Sequence, residues 1–114
     1  MPSMPRASTM MNAIAWSNEG AALSLQGKYD KSIQACDTAI ELDPNLANAW
    51  GNKGASLRRL GRYDEALDVL DKAIELDPDL ADAWNNKGEV LKALGLTEEA
   101  NAAFAKAIKL GYEG

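Results

Sequence analysis

Histidine is absent from the 114 residues and cysteine occurs once. The first absence removes Ser-His-Asp and Cys-His catalysis and every zinc site that uses imidazole. The second leaves Cys36 with no internal disulfide partner and no multi-cysteine metal cage, which suits a reducing compartment. Positive charge is also scarce: twelve Lys and Arg against seventeen Asp and Glu give a net charge of -5, a poor basis for gripping nucleic acid. No apolar run approaches the roughly 20 residues that cross a bilayer, and the first residues lack a hydrophobic signal core. A cytoplasmic protein without membrane or nucleic-acid partners is expected. With only four prolines, 46% hydrophobic and 25% charged residues, the composition is that of a folded chain.

What the chain does have is a period. Trp16, Trp50 and Trp84 are spaced 34 residues apart, and Gly20/Gly54/Gly88, Leu23/Leu57/Leu91, Gly27/Gly61/Gly95 and Ala39/Ala73/Ala107 keep step with them. Residues 13–46 and 47–80 share 18 identities without a gap, and 47–80 and 81–114 share 15. A period of this length signals stacked supersecondary units. Three of them fill residues 13–46, 47–80 and 81–114, behind an extension over residues 1–12. The prolines of that extension argue for an extended, partly disordered start to about Pro5, with Ser8 or Thr9 available to cap an early first helix.

Within the middle unit, Trp50, Gly54, Leu57 and Gly61 follow a four-three-four spacing, which places them on one face of a helix starting near Ala47. Gly61 can take the left-handed conformation that closes this helix, and Asp64 is placed to cap the next. That second helix is predicted from about Asp64 to Leu76, with Ala66, Leu70, Ala73 and Ile74 inward, and Pro78 stops it. Each unit is therefore read as an antiparallel helical hairpin in an all-α chain. The tryptophans are read as packing between the two helices of a unit. Cys36 stands where the other units have Leu70 and Phe104, so it is read as a small apolar filler.

The pattern W-x3-G-x2-L-x3-G-x-Y-x2-A-x6-A-x4-P, running from Trp50 to Pro78, resembles the tetratricopeptide repeat. The resemblance implies a right-handed α-solenoid of three helix-turn-helix repeats whose first helices line a concave groove. Departures are Glu19, Lys53 and Lys87 where the family has an apolar residue, Ser32 for a small alanine, Thr97 for tyrosine, and Gly111-Tyr112 for the Asp-Pro terminator.

From this follow the candidate sites. Asn18, Asn52 and Asn86 recur mid-helix although asparagine is a mediocre helix former, and a primary amide offers both a donor and an acceptor. The resemblance implies that they form a ladder to the main chain of an extended peptide, or else that duplication copied an inert residue. Asn52→Ala with Asn86→Ala is then expected to weaken peptide capture and leave stability nearly unchanged. Ser17, Arg58, Arg59, Asn85 and Lys92 share the groove face, and the charged residues of the first helices sum to +2. An acidic residue of a partner opposite Arg58 or Arg59 competes with a solvated charged face. The places of a chaperone-tail clamp are occupied by Ser17, Ala21, Asn52, Asp82 and Asn86, so only Asn52 fits it.

A unit of this size cannot bury its own apolar face, so the last helix, with no separate capping helix after it, presents Phe104, Ala107 and Ile108. Its many alanines make a bare end tolerable; self-association through it and truncation of a longer array are the alternatives. The stripe Asp64, Asp68, Asp71 and Glu75 runs along a helix rather than a loop, so it is read as a solvated face with a Lys72–Asp68 pair and not as a cation site. No metal or cofactor is expected, and no nucleophile–base pair is visible. The expected function is a non-enzymatic protein-interaction scaffold binding an extended peptide, with a self-assembling module as the alternative.

Overall fold

The computed structural model describes residues 6–113, all helix and turn, with no strand among them. Six helices follow one another: α1 (Arg6–Leu25), α2 (Tyr29–Leu42), α3 (Ala47–Arg59), α4 (Tyr63–Leu76), α5 (Ala81–Ala93) and α6 (Thr97–Lys109). They form a solenoid of three hairpins, 52 Å long and 26 Å by 22 Å across. The expected extended start over residues 1–5 lies outside the described residues. Helix α1 already runs through Ser8 and Thr9, so neither is where it begins.

Which helices touch determines the shape. Each hairpin packs internally, α2 packs on α3 and α4 on α5, and the first helices also meet one another, α1 with α3 and α3 with α5. The second helices α2, α4 and α6 do not meet each other among the described residues. A row of helices in mutual contact backed by a row held apart must curve, with the contacting row on the inside. Helices α1, α3 and α5 therefore make the concave surface.

The glycines at the second marked position explain the close approach inside each hairpin. A Cβ added to Gly54 would lie 2.5 Å from Leu70 Cγ, and one added to Gly88 would lie 2.6 Å from Phe104 Cδ1. The side chain of the second helix thus occupies the space that a side chain on the first would need. Cys36 fills this role opposite Gly20, fully buried. Burial pushes its thiol up to about 11, so it stays protonated and inert at neutral pH.

Hairpin turns are closed by backbone. At Gly61 φ is +75°, and the Arg62 N–H reaches back to the Leu57 carbonyl at 2.9 Å, so helix α3 ends in a left-handed glycine cap. Helix α4 then starts at Tyr63 with Arg62 at its N-cap and no side-chain cap. The expected cap, Asp64, is instead inside the first turn with Glu65, where both carboxylates face the positive end of the helix dipole. Between units the chain leaves α4 at Asp77 in an extended conformation, and the Asp77 carboxylate accepts the Asp79 N–H at 3.1 Å. Asp43 does the same with Asn45 at 3.0 Å.

The core is shared between hairpins, as stacking requires. Leu57, Ala66, Val69, Leu70 and Ala73 of the middle hairpin are buried with Ala83 and Val90 of the third, and Ile33 of the first packs against them. The tryptophans do more than pack within a unit. Trp50 Nε1 donates to the Pro44 carbonyl at 2.9 Å and Trp84 Nε1 to the Pro78 carbonyl at 2.8 Å, so each indole pins its helix to the turn that delivers it. Trp16 has no such turn before it and is 44% exposed.

The lysines that depart from the repeat pattern have the same inter-unit role. Lys53 Nζ lies 2.7 Å from Asp37 Oδ1 and Lys87 Nζ lies 2.8 Å from Asp71 Oδ1, each joining a first helix to the second helix of the preceding unit. Ser32 is accommodated because its buried hydroxyl donates to the Gly20 carbonyl at 2.7 Å and sits 2.7 Å from the Ser56 hydroxyl. The expected Lys72–Asp68 pair is not formed; Lys72 is directed to Glu75, at 3.8 Å.

Candidate functional site

Contact among α1, α3 and α5 leaves a cleft of about 330 Å³ along the concave surface. Helix α1 contributes Ala21, Ser24 and Leu25; α3 contributes Asn48, Gly51, Asn52, Ala55 and Arg58; α5 contributes Asp82, Ala83, Asn85 and Asn86. Leu80, from the turn before α5, and Tyr112 complete the wall. The floor is small side chains, and the rim is amides with one cation, Arg58, and one carboxylate, Asp82. Among the described residues there is no group of His, Cys, Asp or Glu arranged to hold a metal ion, and no helix is long and apolar enough to cross a membrane.

Each asparagine of the repeated position is placed differently. Asn52 is half-buried, and its Nδ2 donates to the Ser17 carbonyl at 3.1 Å and the Ser17 hydroxyl at 3.2 Å, tying α3 to α1. Its oxygen has no partner among the described residues. Asn86 Nδ2 donates to the Asp82 carbonyl at 3.0 Å, and its Oδ1 accepts from Arg58 Nε at 3.1 Å, joining α5 to α3. Asn18 is exposed and outside the cleft. At Asn52 and Asn86 the position bonds backward to the preceding first helix, and among the described residues no helix precedes α1.

The other residues singled out from sequence also separate. Ser17 is buried beneath Asn52 rather than lining the cleft. Arg59 turns the other way: its Nε donates to the Tyr29 hydroxyl at 3.0 Å and its guanidinium carbon lies 5.6 Å from the Tyr29 ring centre. Lys92 is exposed and does not line the cleft, whereas Asn85 lines it and donates to the Tyr112 hydroxyl at 3.0 Å. At the far end of the solenoid, Ala107 is fully buried, Phe104 is half-buried over Gly88, and only Ile108, at 67%, is largely exposed.

Tyr112 and Leu80 are cleft residues that the repeat pattern does not mark. Tyr112 stands in the register of Pro44 and Pro78, but Gly111 with φ +101° ends α6 as Gly61 ends α3, and the Tyr112 N–H reaches back to the Ala107 carbonyl at 3.0 Å. The glycine itself was the available signal, since a left-handed cap reverses the chain where Asp-Pro sends it onward. The reversal brings the Tyr112 ring to the wall beside Asn85.

Glycine is not required at Gly51. An added Cβ would meet only Leu80 Cδ2, at an ordinary 3.5 Å, and otherwise point into the cleft. Gly51→Ala is expected to raise stability by about 0.5–1 kcal/mol through helix propensity, read as a higher midpoint in urea.

Comparison with known proteins agrees with this architecture. Models of the tetratricopeptide repeat match residues 13–46, 35–68 and 81–110, and one described as TPR repeat matches residues 54–95. Among curated proteins, none matches the sequence significantly. Among solved structures, the second TPR of Spaghetti (RPAP3) bound to HSP90 peptide SRMEEVD superposes with a TM-score of 0.84 at 25% identity, over 90% of this chain and 95% of that one. The Arabidopsis OM64 TPR domain gives 0.85 at 23% identity over 90% and 85%. The MamA crystal structure gives 0.77 at 27% identity, over 89% of this chain and 59% of that one.

Proposed function

We propose, from the premise that this chain belongs to the tetratricopeptide repeat family, that it is a protein-interaction scaffold holding an extended segment of a partner polypeptide in the cleft between α1, α3 and α5. The observation that carries this reading is the cleft itself, one continuous concavity to which every first helix contributes. An extended segment has unpaired backbone N–H and C=O groups, and it needs donors and acceptors spaced along a groove rather than a deep apolar pocket. The side chains of Asn48 and Asn52 supply such groups, and Ala21, Gly51 and Ala55 keep the floor low enough for a backbone to approach. A structural neighbour solved bound to an HSP90 peptide supports polypeptide as the class of ligand.

The chemistry proposed is capture, without a bond made or broken. Self-association by stacking of the two ends finds less support. Inside the solenoid each junction is held by a lysine of one unit and an aspartate of the unit before it. The corresponding outer positions are Glu19 and Ala105, so head-to-tail docking of a second copy would not reproduce that ion pair.

Gly51 provides the test, because a side chain there fills the cleft without displacing the scaffold. Peptides selected on the wild-type protein from a displayed random library are expected to lose binding to Gly51→Trp while its helical circular dichroism and melting temperature are retained. Undiminished binding to a folded Gly51→Trp would place the ligand elsewhere.

A further inference from the structure

We infer that Asn86 is a positioning residue that holds Arg58 ready for a carboxylate of the bound segment; this rests on the reading of the cleft as a polypeptide groove. Arg58 lies in the last turn of α3, is half-buried, and lines the cleft. Its Nε is engaged by Asn86 Oδ1 at 3.1 Å, and the Asn86 amide is in turn fixed by its Nδ2 bond to the Asp82 carbonyl at 3.0 Å. With both ends of the amide committed, its oxygen must face the guanidinium, and the guanidinium plane is held.

The terminal nitrogens of Arg58 have no carboxylate within 4.0 Å among the described residues, in contrast to Lys53, Arg62, Lys72 and Lys87, each of which has one. A cation partly withdrawn from water gains most from an anion that meets it with matching geometry, and a guanidinium offers two parallel N–H bonds to a carboxylate. Asparagine is the informative choice at position 86. Aspartate there would accept from Nε equally well and would also neutralise Arg58 from within; the amide orients the charge and leaves it for the ligand. Leu25, 91% exposed on the same cleft, suits an apolar neighbour of that acidic residue.

The probe is a peptide selected on the wild-type protein, with three relatives: one with each Glu or Asp changed to its amide, one with the C-terminus amidated, and one with both changes. Binding is measured by fluorescence anisotropy against wild type, Arg58→Gln, Asn86→Ala and Asn86→Asp, with circular dichroism confirming the fold of each. Removing the carboxylate that Arg58 reads is expected to weaken wild-type binding about tenfold, with no further loss in Arg58→Gln. Which relative shows the loss tells a side-chain carboxylate from a terminal one. Asn86→Ala is expected to lose most of that discrimination, the affinity ratio of charged to amidated peptide falling toward one, and Asn86→Asp to lose it altogether. Equal weakening of charged and amidated peptides by Asn86→Ala would overturn the inference and make Asn86 a direct main-chain contact, with the groove reading intact. Indifference of wild type to ligand carboxylates would also overturn it. Failure to select any peptide sensitive to Gly51→Trp would overturn both the groove reading and the inference built on it.

Discussion

Leu70→Ala is expected to cost about 2–5 kcal/mol of unfolding free energy, a large share of the roughly 5–15 kcal/mol that holds a domain of this size folded. Leu70 is fully buried, and its branch point occupies the space left by the missing side chain of Gly54. The cluster around it draws from four helices: Ile33 on α2, Leu57 on α3, Val69 and Ala73 on α4, Ala83 and Val90 on α5. A cavity there weakens the middle hairpin and both of its junctions at once, and in a solenoid neighbouring contacts carry much of the stability. Urea denaturation followed by circular dichroism checks it: a midpoint close to wild type would mean that the hairpins do not depend on a shared core.

Gly54→Ala is expected to destabilise by about 1–3 kcal/mol, although alanine is the better helix former by about 1 kcal/mol. The added Cβ would stand 2.5 Å from Leu70 Cγ and 3.2 Å from Val69 Cγ2, and neither atom is the free end of a flexible chain. One helix therefore contains two glycines, three positions apart, for which the same substitution has opposite signs: stabilising at Gly51, destabilising at Gly54. Combined with Leu70→Ala, the Gly54→Ala penalty should shrink, since the clashing atoms are gone and part of the cavity is filled. Additive costs in that double variant would show that the two positions do not compete for one space.

The hairpin architecture was legible because its determinants repeat. Trp50, Gly54, Leu57 and Gly61 recur at one period, and each is placed by local geometry that a single sequence displays. Boundaries were close where a backbone rule sets them, as at Gly61 and Pro78, and less so where a side chain was invoked: Asp64 has a cap's chemistry, but α4 begins one residue earlier without a side-chain cap. Relations between units were harder to see. Lys53 and Lys87 looked like departures from an apolar position, and only the juxtaposition of α2 with α3 and α4 with α5 reveals the aspartates opposite them.

The candidate site was legible as a face and not as a set of roles. Helical spacing placed Ser17, Arg58, Arg59, Asn85 and Lys92 on one surface, and of these the cleft contains Arg58 and Asn85. Spacing does not indicate which way a long side chain turns, so Arg58 and Arg59 looked equivalent until one was found against Asn86 and the other against Tyr29. The asparagines show the same limit. Asn52 and Asn86 each brace one first helix on another, so Asn52→Ala with Asn86→Ala would affect stability as well as capture, at about 1 kcal/mol for each bond lost. The expectation that this double variant leaves the fold untouched is accordingly replaced by the Gly51 substitution, which breaks no hydrogen bond.

Side-chain amide resonances offer the most direct measurement, because Asn48, Asn52, Asn85 and Asn86 all line the cleft while Asn18 and Asn101 do not. In a nitrogen-15 titration with a selected peptide, shifts are expected at the four cleft amides and at the Arg58 Nε resonance, with Asn18 and Asn101 unmoved. Shifts confined to α6 around Ile108, or to the outer helices α2 and α4, would contradict it.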